Sequence, residues 1–95
     1  MKVVWLDSAV EDLVRLRALL HEHSPESATR AAQKLVEAVN CLEEHPTLGR
    51  PLETLLGCRD LGIRLGAGGY ILRYRIHAEI VYVMHIRQYH ESGFD

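Results

Sequence analysis

Apolar and polar positions change their spacing once along this chain, dividing it into a helical half and a strand half. A β-branched and aromatic run, Val3-Val4-Trp5-Leu6, opens the chain as a strand-length segment. Ala9, Leu13, Leu16 and Leu20 then recur at i, i+4, i+7 and i+11, the apolar stripe of an amphipathic helix. Ser8 and Glu11 stand at capping-box spacing at its start, and the stripe ends near His21–His23. Ser24-Pro25 supplies a cap and a first-turn proline for a second helix. Along that helix Ala28, Ala32, Leu35, Val39 and Leu42 continue the pattern to about Glu44. The small Ala28, Ala31 and Ala32 let two helices of a hairpin approach closely.

Pro46 stops the second helix and Gly49 turns the chain, after which residues 51–58 read as an irregular connection. The period then drops to two. Asp60–Leu65, Gly69–Ile76 and Glu79–Arg87 are three strand-like runs, separated by Gly66-Ala67-Gly68 and by His77-Ala78. Links this short force antiparallel neighbours. Alternation sets Leu61, Ile63 and Leu65 against Gly62 and Arg64, and Tyr70, Leu72, Tyr74 and Ile76 against Ile71, Arg73 and Arg75. The last run is apolar on both faces except at His85 and Arg87, which predicts a central strand.

Ninety-five residues make one domain, 1–95, with 47% hydrophobic and 25% charged residues, ordinary values for a soluble protein. No apolar run approaches the ~20 residues that span a bilayer, and Asp7, Glu11 and Asp12 replace the apolar core of a signal peptide. The expected compartment is the cytoplasm, where Cys41 and Cys58 stay reduced. Neither these cysteines nor the histidines have metal-ligand spacing: His21 and His23 point to different faces of one helix, and His77, His85 and His90 are scattered. No metal and no cofactor is expected.

The formal charge of −2 lacks the basic excess usual in nucleic-acid binders. Its distribution is uneven. Arg59, Arg64, Arg73 and Arg75 against Asp60 leave residues 59–75 at +3, a patch suited to phosphate, to an acidic protein surface, or simply to water.

In order and spacing these segments resemble the RelE/ParE superfamily of toxins from bacterial type II toxin–antitoxin modules. The resemblance spans nearly the whole chain. It rests on Trp5, Ala9 and Asp12-Leu13, the helix-two ending Leu42-Glu43-Glu44-His45-Pro46-Thr47-Leu48-Gly49-Arg50-Pro51, Arg59-Asp60-Leu61, Gly69-Tyr70-Ile71-Leu72-Arg73-Tyr74-Arg75-Ile76, and the run Ile80–Ile86. It implies an α+β fold, β-α-α-β-β-β, with an N-terminal helical hairpin on a small, mainly antiparallel sheet. It also implies a cytoplasmic growth inhibitor of the kind that stabilises plasmids, held by a cognate antitoxin in a hetero-oligomer.

Two activities occur in that superfamily: poisoning of DNA gyrase by the ParE-like branch and ribosome-dependent mRNA cleavage by the RelE-like branch. Metal-free RNA cleavage needs an acid or base at the reacting oxygens and cations around the phosphorane. Aligned with such nucleases, Arg64 keeps a basic position, whereas Gly62 and Ile71 stand where basic residues are expected, Tyr89 falls near a tail arginine, and the terminal tyrosine position falls beyond Phe94. The pair Tyr89-His90 reverses the His-Tyr order of some nuclease relatives. The segment Gly69–Arg75 is closer to ParE, although the common His-Gly-Arg-Arg tail becomes Arg87-Gln88-Tyr89-His90-Glu91. The resemblance therefore implies a non-enzymatic gyrase inhibitor. The alternatives are an mRNA endoribonuclease using Arg64, Arg87, Tyr89 and His90, and an inactive antitoxin-binding module. Target-binding candidates are Arg64, Arg75, His85, Arg87, Tyr89 and His90; antitoxin-binding candidates are Trp5, Leu13, Leu16, Arg73 and Arg75.

Overall fold

A computed structural model describes residues 1–65 and 68–90. Gly66 and Ala67 of the expected first link, and the tail from Glu91 through Asp95 with Phe94 in it, lie outside the described residues, as does the His90 side chain. The elements are β1 (Lys2–Trp5), α1 (Asp7–His23), α2 (Pro25–Cys41), β2 (Arg50–Pro51), β3 (Cys58–Leu65), β4 (Gly68–His77) and β5 (Ile80–His90). They form the expected α+β arrangement, a helical hairpin on a five-stranded sheet of order β1-β5-β4-β3-β2. Among the described residues, β1–β5 is the one parallel pair. Among the described residues no helix is long and apolar enough to cross a membrane.

The hairpin turns on Ser24 alone. Its backbone N–H donates to Leu20 O, closing α1, while its Oγ accepts from Ser27 N at 3.2 Å, opening α2. The capping box expected at Ser8 does not form. Leu6 is the N-cap of α1 without a side-chain bond, because the Ser8 hydroxyl donates to Met84 O of β5 at 2.6 Å. The core lies between hairpin and sheet: Ala9 and Leu16 from α1, Ala28, Ala31, Leu35 and Val39 from α2, then Leu42, Ile63, Tyr70, Leu72, Tyr74, Val81, Val83 and Ile86. Ala31, rather than Ala32, takes the deep position on α2. Each fully buried large apolar side chain adds about 1.5–3 kcal/mol of transfer free energy.

Two local devices shape the sheet. In β5 the register slips between Arg73 and Tyr74 of β4, so that Tyr74 faces Val83, Arg73 faces His85, and Met84 is the extra residue of a β-bulge. The bulge lets both Val83 and Ile86 face the helices despite their odd spacing. A two-residue strand, β2, runs into the connection read as irregular, with Arg50 and Pro51 paired to Asp60 and Arg59. Tyr74 fastens its approach: the hydroxyl donates to Pro46 O (2.7 Å) and accepts from Gly49 N (2.8 Å). A Cβ at Gly49 would stand 2.9 Å from that ring, so glycine is required by proximity. Arg59 donates to Thr47 O and Gly49 O on the same loop.

Candidate functional site

Both helices pack on one face of the sheet. The face turned away carries Val4 of β1, Tyr82 and Met84 of β5, Ile71, Arg73 and Arg75 of β4, and Cys58, Asp60, Gly62 and Arg64 of β3. Each of the candidate arginines meets a different environment there. Arg73 is committed to Asp60 across the β3–β4 pair, with Nε to Oδ1 at 2.8 Å and Nη2 to Oδ2 at 3.0 Å. The Asp60 side chain is only 3% exposed, so this bidentate bridge neutralises a carboxylate inside the sheet. The Arg75 side chain is exposed and makes no hydrogen bond or ion pair among the described residues, while its backbone pairs with Cys58 and Tyr82. Arg64 is exposed at the far end of β3 and lines a cavity of ≈ 440 Å³ with Leu20, Ser27, Arg30, Ala31, Lys34, Leu65 and Tyr70.

A second centre forms where β1 departs from β5. Parallel pairing ends at Trp5–Val83 and Leu6 N donates to Val83 O; beyond that point side chains of α1 occupy the strand edge. Ser8 takes Met84 O, and Asp12 Oδ2 accepts from Ile86 N at 2.9 Å. The same carboxylate receives Arg15 Nη2 at 2.7 Å and faces His85 Nδ1 at 3.3 Å. Burial pushes the Asp12 carboxyl up, but the Ile86 amide, Arg15 and His85 together outweigh it and hold the group below its ordinary value. His85 keeps about half of its side chain exposed (48%), so Asp12 orients an imidazole that is only partly covered.

Arg87 and Tyr89 follow His85 at the alternate positions of β5 that share a face. Arg87 is exposed, and the Tyr89 ring lies over Gly69, where a Cβ would stand 2.7 Å from it. His85, Arg87 and Tyr89 are thus one row, whereas Arg75 is a separate locus near the other end of β4. Among the antitoxin candidates, Leu16 belongs to the core, and Trp5 and Leu13 pack against it while partly exposed. Pattern reading did not single out Asp12 as a hub or Asp60 as the partner of Arg73. The available signals were a carboxylate inside the apolar stripe of α1 and the cross-strand arithmetic of β3 and β4. Among the described residues, no three His, Cys, Asp or Glu side chains converge as a metal centre requires.

The model of the family described as the ParE toxin of the type II toxin–antitoxin system parDE matches residues 3–92. This chain belongs to the ParE toxin family. Its sequence is also similar to toxins named RelE in Caulobacter vibrioides. It is 34% identical to Toxin RelE3 over 79 residues, covering 83% of this chain and 84% of that toxin. It is 33% identical to Toxin RelE2 over 86 residues, covering 90% and 92%. Among solved structures, the chromosomal ParDE toxin–antitoxin system from P. aeruginosa contains a chain that superposes with a TM-score of 0.79 at 25% identity, over 94% of this chain and 96% of that one. The expected superfamily and α+β fold are thereby established, and ParE-family membership implies a cognate antitoxin partner.

Proposed function

We propose that this ParE-family toxin acts by binding and inhibiting DNA gyrase, and that its antitoxin holds it inactive in a hetero-oligomer. The observation that carries this reading is the ParE family match over residues 3–92. The character of the open face supports it. On β3 and β4, Gly62 and Ile71 stand where RNA cleavage would use basic side chains, which leaves Arg87 of β5 opposite Ile71, and Arg73 is already neutralised by Asp60. A formal charge of −2 likewise favours a protein target over ribosomal RNA.

The antitoxin fits best on the helical side. Leu20, Ala31, Leu65 and Tyr70 give the ≈ 440 Å³ groove apolar walls, Arg30, Lys34 and Arg64 line it, and among the described residues no acidic one does. An amphipathic segment of the antitoxin bearing acidic residues matches that combination.

An mRNA endoribonuclease is the second reading, favoured by the RelE names of the curated relatives and by the Asp12-oriented imidazole of His85 beside Arg87. Inducing the chain in cells without its antitoxin separates the two. Gyrase inhibition predicts trapped gyrase–DNA cleavage complexes with intact mRNA. Cut mRNA without such complexes would reject it, and unimpaired growth would leave only the antitoxin-binding module.

A further inference from the structure

We infer that the open face carries a socket for an apolar side chain of the target protein, flanked by a carboxylate, at Leu6, Tyr82, Met84, Arg75 and His77. This deepens the proposal that the chain acts by binding a protein target, and it rests on that reading. The five residues enclose ≈ 310 Å³ where β1 gives way to α1 and the β4–β5 hairpin closes. Leu6 is 37% exposed although its neighbour Trp5 packs against the core on the other side. Tyr82 lies between Val4 and Arg75 in the sheet register. Met84 is the extra residue of the bulge, and its Sδ lies 3.9 Å from the buried Cys58 Sγ. The hollow is therefore floored by apolar and polarisable groups, and methionine adapts its shape to whatever enters.

Arg75 gives the rim its charge. Arg75 and His77 are exposed, and among the described residues no acidic one lines the hollow and the Arg75 side chain has no partner. By contrast Arg15, Arg59 and Arg73 are each spent on a carboxylate or backbone carbonyls. An unspent guanidinium beside an exposed apolar hollow is complementary to an apolar anchor followed by Asp or Glu, the usual composition of an interface hot spot with its charged border. The volume takes one large side chain, not a helix of ~10–12 Å diameter. Nucleic acid fits less well, since tight phosphate binding draws on many cations and this site offers one guanidinium, that of Arg75.

The socket is remote from the antitoxin groove. Arg75 is five residues along β4 from Tyr70, about 17 Å of strand, and of the groove's lining only Arg64 belongs to the face that carries the socket. Target binding and antitoxin binding are then separable by mutation.

The test uses the full chain with Arg75→Glu/His77→Glu, with Met84→Ala as a second variant that leaves the rim intact, and Arg17→Glu on the exposed face of α1 as the charge control. Three quantities are read: growth arrest on induction, inhibition of purified gyrase holoenzyme, and affinity for the cognate antitoxin. Expected are loss of growth arrest and at least about a tenfold weaker gyrase inhibition in both socket variants. Antitoxin affinity should stay within about twofold, which also reports a folded chain, and Arg17→Glu should behave as the parent. Socket variants that arrest growth as the parent does would overturn the proposal. A parent that arrests growth without touching gyrase would reject gyrase alone, and the socket would stand if its variants abolished the arrest. Variants that lose only mRNA cleavage would make the hollow an RNA site and overturn the protein socket.

Discussion

Asp12 joins the helical half to the sheet through its carboxylate. One carboxylate accepts the Ile86 amide at a strand edge, engages Arg15 and aligns His85. Replacing Asp12 by Asn keeps the shape and removes the charge, which should cost about 1–2 kcal/mol at pH 7. Because the folded-state value of Asp12 lies below the ordinary 3.8, its stabilisation is complete above that value and fades as pH falls through the lower folded one. Urea denaturation at pH 7 and near pH 3 should therefore show a gap between parent and Asp12→Asn that narrows in acid; an equal gap at both would refute the assignment. Tyr74 makes a comparable prediction. Tyr74→Phe strips partners from Gly49 N and Pro46 O together, and should destabilise by about 2–3 kcal/mol in the same assay. A loss below about 0.5 kcal/mol would mean that water replaces the hydroxyl. Neither role was legible from periodicity, because a polar atom's partner is fixed by tertiary contact. Ser8 makes the point: its spacing to Glu11 announces a cap, yet a nearer carbonyl on β5 takes the hydroxyl.

Elements were more legible than contacts. The stripes of α1 and α2 and the alternation of β3 and β4 follow from which positions must leave water, and the structure places them accordingly. Short β2 escaped because two residues carry no period, and the β5 bulge because an inserted residue breaks the alternation being sought. The β4–β5 turn is the weakest local match of sequence to structure. Ala78 and Glu79 both have positive φ (49° and 63°), at a link where Asn-Gly is preferred. Ala78→Asn/Glu79→Gly should relieve about 1–2 kcal/mol. That raises Tm by roughly 4–8 °C per kcal/mol in a chain of this size, measured by calorimetry. An unchanged or lower Tm would show the turn to be unstrained.

As a whole, the molecule presents different chemistry on its two sides. The helical side offers a basic groove lined by Arg30, Lys34 and Arg64, and the open side an apolar socket edged by Arg75 and His77. A net charge of −2 hid both, because acids on the helices cancel cations that the fold gathers locally. Of the candidate site residues, Arg64, Arg75, His85 and Arg87 emerge on the surface, while Arg73 is bound to Asp60 and Leu16 belongs to the core. The sequence pattern alone could not make that distinction, since it identifies which face a side chain occupies and not what it meets there. Separate surfaces would allow an antitoxin to bind without entering the target socket, so that neutralisation need not be simple occlusion.

The decisive measurement is a supercoiling and cleavage assay of purified gyrase holoenzyme with the purified chain, repeated with its antitoxin present and paired with a cell-free translation reaction. Inhibition of gyrase by a ParE-like toxin predicts lost supercoiling or trapped cleavage complexes, reversal by the antitoxin, and translation that proceeds with intact mRNA. Normal supercoiling alongside cut mRNA and failed translation would contradict it.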